Sequence, residues 1–237
     1  MSVLLRPPLL SKPFNLLPHP DSSCVLWLPG QDDAYSTTIR DRSGKGNHCT
    51  STGATWARLP SGLWGLSYDG TDDRITTSAA IATTSAFTFL TWWKRMGDSG
   101  GTADNLYHRI VQSINGGTKE QNKFMVTKDG TSVRGFVTVA AAQKEAVGIN
   151  ITAANWHLLG LMWDGSFVYN LADGVIGDGT AAAGTLATGA TALTIGWYDA
   201  TSFHCNGIMA LTRLLNSAIS SETFLIIYNQ ERHLFGE

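Results

Sequence analysis

Downstream of residue 23, apolar positions recur in short runs, many of them with a period of two. The clearest runs cover residues 24–28, 74–77, 86–96, 106–114, 123–127, 133–140, 156–163, 167–171, 193–197 and 207–215, with Gly, Asn and Asp between them. Short alternating runs separated by turn residues predict β-strands at the spacing of a sandwich. In residues 86–96, Phe87, Phe89, Thr91 and Trp93 alternate with Thr88, Leu90, Trp92 and Lys94, so both faces start out apolar. That predicts a strand covered on both sides and central in its sheet. Residues 177–191 are rich in Gly, Ala and Thr, with Leu186 as the one large side chain, which predicts a long surface loop or a weak edge strand. A helix is predicted only at the end, where Ser220 or Ser221 caps a segment carrying Phe224, Leu225, Ile227 and Tyr228 at helical spacing.

The first twenty residues read differently. Pro7, Pro8, Pro13, Pro18 and Pro20 are interleaved with Leu4, Leu5, Leu9, Leu10, Phe14, Leu16 and Leu17. Proline fixes φ and removes a donor, which excludes a helix or a central strand and predicts an extended, polyproline-like path. Flexible linkers are polar, whereas this segment is apolar and needs a surface to dock on. The expected organisation is an extended arm over residues 1–22 and one sandwich domain over residues 23–237. All-β sandwiches of about this length form a single core.

Composition narrows the function. Hydrophobic residues make up 43% of the 237 and charged residues 15%, enough for a packed core. Seventeen basic residues nearly balance nineteen acidic ones without a basic block, which argues against nucleic acid as a partner. No run reaches the roughly 18 apolar residues that would cross a bilayer, so a membrane is not expected as a partner. Arg6, Lys12 and the early prolines interrupt the apolar run of a secretory signal. Cys24, Cys49 and Cys205 lack any C-x-x-C spacing and read as buried thiols. His19, His48, His108, His157, His204 and His233 are scattered, which gives zinc little support.

Catalytic motifs do not assemble. Gly97-Asp98-Ser99-Gly100-Gly101 fits G-x-S-x-G and resembles a trypsin-like nucleophile segment, with His48-Cys49 echoing the histidine segment. The roughly fifty residues between His48 and Ser99 are too few to complete the first barrel of such a protease. Retaining glucanases need two carboxylates about 5–5.5 Å apart, and Glu120, Glu145, Glu222, Glu231 and Glu237 show no E-x-D-x-x-E spacing. The chain reads as non-enzymatic.

Several segments form one ordered set: Leu26-Trp27-Leu28, Asp41-Arg42-Ser43-Gly44-Lys45-Gly46-Asn47-His48 and Leu66-Ser67-Tyr68-Asp69-Gly70-Thr71-Asp72-Asp73. Later come Asn155-Trp156-His157, Asp164-Gly165, Leu171-Ala172-Asp173-Gly174, Ile195-Gly196 and Asn206-Gly207-Ile208, then residues 219–229. Over residues 24–230 the chain resembles the laminin-G-like, concanavalin-A-like jelly-roll family, of the kind found in bacteriophage virion proteins. The resemblance implies an all-β jelly-roll sandwich of two antiparallel sheets with one short C-terminal helix. It also implies that the last long strand lies near the first, so that Cys24 and Cys205 come close enough for a disulfide. Some members bind calcium at one rim, and Asp41, Asp69, Asp72 and Asp73 sit in turns suited to a cation that takes about six to eight oxygens. The same aspartates also serve as acceptors for turn amides, and both roles stay open. Calcium is the one cofactor implied.

Two functions follow as expectations. The first is a structural or assembly component, such as a capsid decoration, head or tail protein of a virion, made in host cytoplasm. Its arm would contact neighbouring chains, either as a homo-oligomer or on virion shell proteins. Such an arm would add apolar burial at about 25 cal/mol per Å². The second is an extracellular lectin-like adhesion module that binds cell-surface glycans, with Trp56 and Trp64 as candidate stacking platforms.

Overall fold

The computed structural model describes residues 22–30, 36–83, 85–98, 107–127 and 129–237. The arm leucines, Phe14 and Ser99 lie outside the described residues. Strands β1 (Cys24–Leu28), β2 (Thr38–Ile39), β3 (Cys49–Thr52), β4 (Thr55–Arg58), β5 (Trp64–Asp69) and β6 (Arg74–Thr77) come first. They are followed by β7 (Phe87–Arg95), β8 (Tyr107–Gln112), β9 (Lys123–Thr127), β10 (Ser132–Val139), β11 (Ala142–Glu145) and β12 (Ile149–Asn150). The last are β13 (Trp156–Trp163), β14 (Phe167–Ala172), β15 (Val175–Ile176), β16 (Thr180–Ala181), β17 (Thr194–Ile195) and β18 (Asn206–Leu215), before helix α1 (Ser221–Glu231). Every predicted strand is present. The additional ones are mostly two to four residues long, too short to show a period.

These strands form two antiparallel sheets. The first runs β15-β14-β13-β7-β18-β5-β4, with β1 also on β18 and β16 also on β14. The second runs β11-β10-β9-β8-β17-β6-β3-β2, with β12 on β10. Between them lies the main core, including Leu26, Phe89, Trp93, Phe124, Val133, Leu161, Ile195 and Met209. Strand β7 sits between β13 and β18, as its two apolar faces require. Residues 180–181 of the Gly/Ala/Thr-rich stretch pair with β14, and Leu186 is buried and bridges to Val139.

The outer face of the first sheet is covered as well. Leu90, Trp92, Leu158 and Leu171 pack under α1 and the C-terminal turn, against Phe224 and Phe235. Ser220 caps the helix, its Oγ accepting from the Thr223 amide at 3.1 Å. The buried stripe is Phe224, Ile227, Tyr228 and Glu231, whereas Leu225 is 48% exposed. Leu225 therefore does not belong to the buried face as expected, because the fourth member of the stripe is a glutamate.

That glutamate is fully buried. Its carboxylate accepts from both Arg213 Nη1 and Nη2 at 2.7 Å and from Trp92 Nε1 at 2.8 Å. Arg213 reaches it through a bulge. Ala210 pairs with Trp92 and Arg213 with Leu90, three residues apart on one face, with Leu211 at φ 50° as the extra residue. The Arg213 guanidinium also lies 5.2 Å from the Trp27 ring.

No disulfide joins the three cysteines, which are all buried. The expected Cys24–Cys205 pair is ruled out by register. Cys24 lies opposite Leu215 at one end of β18, and Cys205 precedes Asn206 at the other, roughly 30 Å away at about 3.3 Å per residue. Burial pushes the Cys49 and Cys205 thiols up to about 12, with the charges of Asp41 and Asp73 adding respectively, so both stay protonated at neutral pH.

Removing one partner of the buried pair leaves a charge without compensation. Glu231→Ala should therefore cost about 3–5 kcal/mol in denaturant unfolding, while joint replacement by apolar residues of similar volume should cost far less.

Candidate functional site

Among the described residues, no helix or sheet lies over the outer face of the second sheet. Strand alternation aims Tyr107 and Arg109 of β8, Lys123 and Met125 of β9, and Arg134 and Phe136 of β10 to that side. The register Arg109↔Met125↔Arg134 aligns one row across it. A second row runs Gln112↔Lys123↔Phe136↔Glu145.

The segment 196–204 folds over these rows and brings Trp197, Tyr198 and Phe203. It is pinned at both ends by Gly196 N–H to Ile110 O (3.1 Å) and Cys205 N–H to Gly196 O (2.9 Å). Gly196 has φ 91°, and a Cβ there would meet the Tyr68 ring at 2.3 Å, so only glycine fits. Arg109 N–H reaches Phe203 O at 3.3 Å, and Gln112 Nε2 reaches Tyr198 O at 3.2 Å. Phe203 is held at φ 57°, an uncommon conformation for a bulky residue that costs about 1–3 kcal/mol.

Rings and cations interleave here. The buried Arg109 guanidinium lies 4.7 Å from the Tyr198 ring and 5.3 Å from the Phe203 ring. Its Nη2 donates to Glu120 Oε1 at 3.2 Å, and Glu120 also takes Lys123. Arg134 pairs with Glu145, donates to the Tyr107 hydroxyl at 2.6 Å and lies 5.5 Å from the Phe136 ring. Trp197 is flanked by Arg74 at 4.8 Å and Lys119 at 5.2 Å. Each contact is of cation–π length.

The electrostatics follow from this crowding. Burial holds Arg109 and Lys123 below their usual values against the pull of Glu120. Burial pushes the Glu120 carboxyl up, but the Lys123 hydrogen bond and the Arg109 charge outweigh it and hold the group below its usual range. Burial and the Glu120 charge raise the Tyr198 hydroxyl. Arg109 Nε, Gln112 Oε1 and Trp197 Nε1 are buried without a hydrogen-bond partner among the described residues, which is costly unless something else satisfies them.

The residues singled out in the sequence lie elsewhere. Asp41 is used up locally: Oδ1 accepts the amides of Trp27 (2.9 Å) and Ser43 (2.8 Å), and Oδ2 accepts Ser43 Oγ (2.7 Å) and the Asn47 amide (2.9 Å). It therefore does not join Asp69, Asp72 and Asp73, whose carboxylate oxygens come within 4.8 Å of one another. In that turn Asp73 accepts the Asp69 amide at 2.8 Å and Asp69 the Thr71 amide at 2.7 Å. Burial, with the neighbouring carboxylates, raises Asp73. Trp56 and Trp64 are half-buried on the β4–β5 hairpin at the edge of the first sheet. Trp56 packs on the main core, and Arg58 lies 5.9 Å from the Trp64 ring. His48 Nδ1 accepts the Asp41 amide at 3.0 Å, a structural role.

No family model and no curated protein matches the sequence. Solved structures do match. The binding domain of Paraclostridial Mosquitocidal Protein 1 is similar at 11% identity and TM-score 0.70, over 91% of this chain and 55% of that one. The receptor binding domain of botulinum neurotoxin D is similar at 12% and 0.67, over 89% and 53%. The binding domain of botulinum neurotoxin DC in complex with SialylT is similar at 10% and 0.66, over 87% and 51%. The chain thus spans about half the length of these proteins. At such identities the likeness establishes the jelly-roll-like β-sandwich and nothing finer.

The Glu120 hub has a pH signature. Its depressed value means that its contribution is present above the unfolded value, about 4.3, and is lost as pH falls through the folded one. Glu120→Gln should therefore show a smaller drop in Tm between pH 7 and pH 3 than the parent chain.

Proposed function

We propose that this chain is a non-catalytic module that binds carbohydrate on the outer face of its second sheet. The observation that carries the reading is the partly exposed ring set Trp197, Tyr198 and Phe203, held by the buried Arg109 and flanked by Lys119 and Arg74, on a sheet face over which the described residues lay no helix. An aromatic face gives apolar contact to the C–H side of a sugar, and neighbouring cations donate to its oxygens. The folds of receptor binding domains, one of them in complex with SialylT, support a binding role over a catalytic one.

Assembly through the proline-rich arm is the second reading. It is favoured by the seven large apolar residues among positions 4–17. An arm-dependent rise in solution mass, measured by light scattering with and without residues 1–20, would support it.

The carbohydrate reading is tested on the full chain against an array of neutral and acidic oligosaccharides, followed by calorimetry on the best ligand. Trp197→Ala should weaken that ligand by about tenfold or more while leaving the far-UV circular dichroism unchanged. Equal affinity in parent and variant, or no retained glycan at all, would remove the reading.

A further inference from the structure

The opposite side of the molecule carries a second concavity. A groove of about 640 Å³ lies on the outer face of the first sheet, between the β4–β5 turn and the C-terminal residues 233–236. That volume falls within the range of small-molecule clefts, about 300–1,000 Å³. Its floor is rigid, because Phe235 stacks on Trp92 at 4.2 Å and Trp92 is tied to Glu231. Its apolar surface includes Ile208 and Met96, and Met96 is 60% exposed. Met96 thus extends the apolar wall of the hollow at its exposed rim.

The formal charges that line this groove, Arg58 and Lys94, have one sign. Arg58, Lys94 and His233 line it, each from a different element, and no carboxylate does among the described residues. Glu237 follows directly in sequence but turns its Oε1 to the Trp156 amide at 3.3 Å. Lys94 forms no ion pair among the described residues, unlike Lys123 and Arg134 on the other face. Apolar walls with unneutralised cations complement one kind of ligand, a molecule with an alkyl body and an anionic head.

We infer that this groove binds a single-chain amphiphilic carboxylate of the fatty-acid type, with its chain against Met96, Ile208 and Phe235 and its head at Lys94 and Arg58. The apolar arm is itself basic through Arg6 and Lys12 and does not complement these cations. The groove is independent of the carbohydrate reading, since it lies across the sandwich from Trp197.

The test is calorimetric titration of the full chain with decanoate and decyltrimethylammonium below their micellar concentrations and with decanol below its solubility limit. Decanoate should bind saturably at one site, at least about tenfold tighter than either control. Joint replacement Lys94→Gln and Arg58→Gln should weaken decanoate by about tenfold with an unchanged melting curve. Absence of saturable decanoate binding, equal binding of the three amphiphiles, or undiminished affinity in the double variant would each overturn the inference. Should the double variant melt early, Met96→Ser, at an exposed position, replaces it and should weaken decanoate and decanol alike.

Discussion

Strand β7 is apolar on both faces, and one sheet facing another buries only one of them. Phe89 and Trp93 enter the core between the sheets, while Leu90 and Trp92 emerge on the far side. The chain answers with its own end. Helix α1 and the following turn lie over Trp92, fixed by the Glu231 carboxylate between Arg213 and the Trp92 indole. Because a buried carboxylate is tolerated only when its partners are complete, this contact sets the helix at one position. The bulge at Leu211 exists in the same frame, since without the extra residue Arg213 would point to the core.

On the other side of the sandwich the described residues include no helix; there segment 196–204 folds over the second sheet and buries Arg109, Lys123 and Met125. There the second sheet mixes Arg109, Lys123 and Arg134 with the apolar Met125 and Phe136, and the segment after β17 adds Trp197, Tyr198 and Phe203. Rings and guanidinium groups stabilise each other by about 0.5–2 kcal/mol per contact, depending on desolvation. Glu120 holds two of the cations in place. The result is an ordered cluster of rings and cations, and such order would lower the entropic cost of holding the proposed ligand.

Much of the fold was legible in the sequence because period-two patterning reports burial directly. The runs at 24–28, 74–77, 123–127 and 156–163 match their strands residue for residue. Very short strands such as β2 and β12 leave no period to read. Misjudging Leu225 had a definite physical source: helical spacing identifies a stripe, but a glutamate at its fourth position looks solvent-facing until Arg213 is placed beneath it. The sandwich face was less legible. Arg109 and Tyr107, or Arg134 and Phe136, alternate in a way that hints at a polar outward face, but only register sets them side by side. Trp197 looked like the end of a strand, and only the fold brings Arg74 from β6 to its indole. The turn aspartates stood out more because local motifs are visible in one segment, whereas a face is assembled from several.

The central claim is that ligand recognition belongs to the outer face of the second sheet, and amide chemical-shift mapping tests it most directly. With the full chain titrated by its tightest oligosaccharide, the account predicts shifts concentrated in β8, β9, β10 and residues 196–204. Shifts centred instead on the Asp69–Asp73 turn or on the β4–β5 hairpin that carries Trp56 and Trp64 would contradict it.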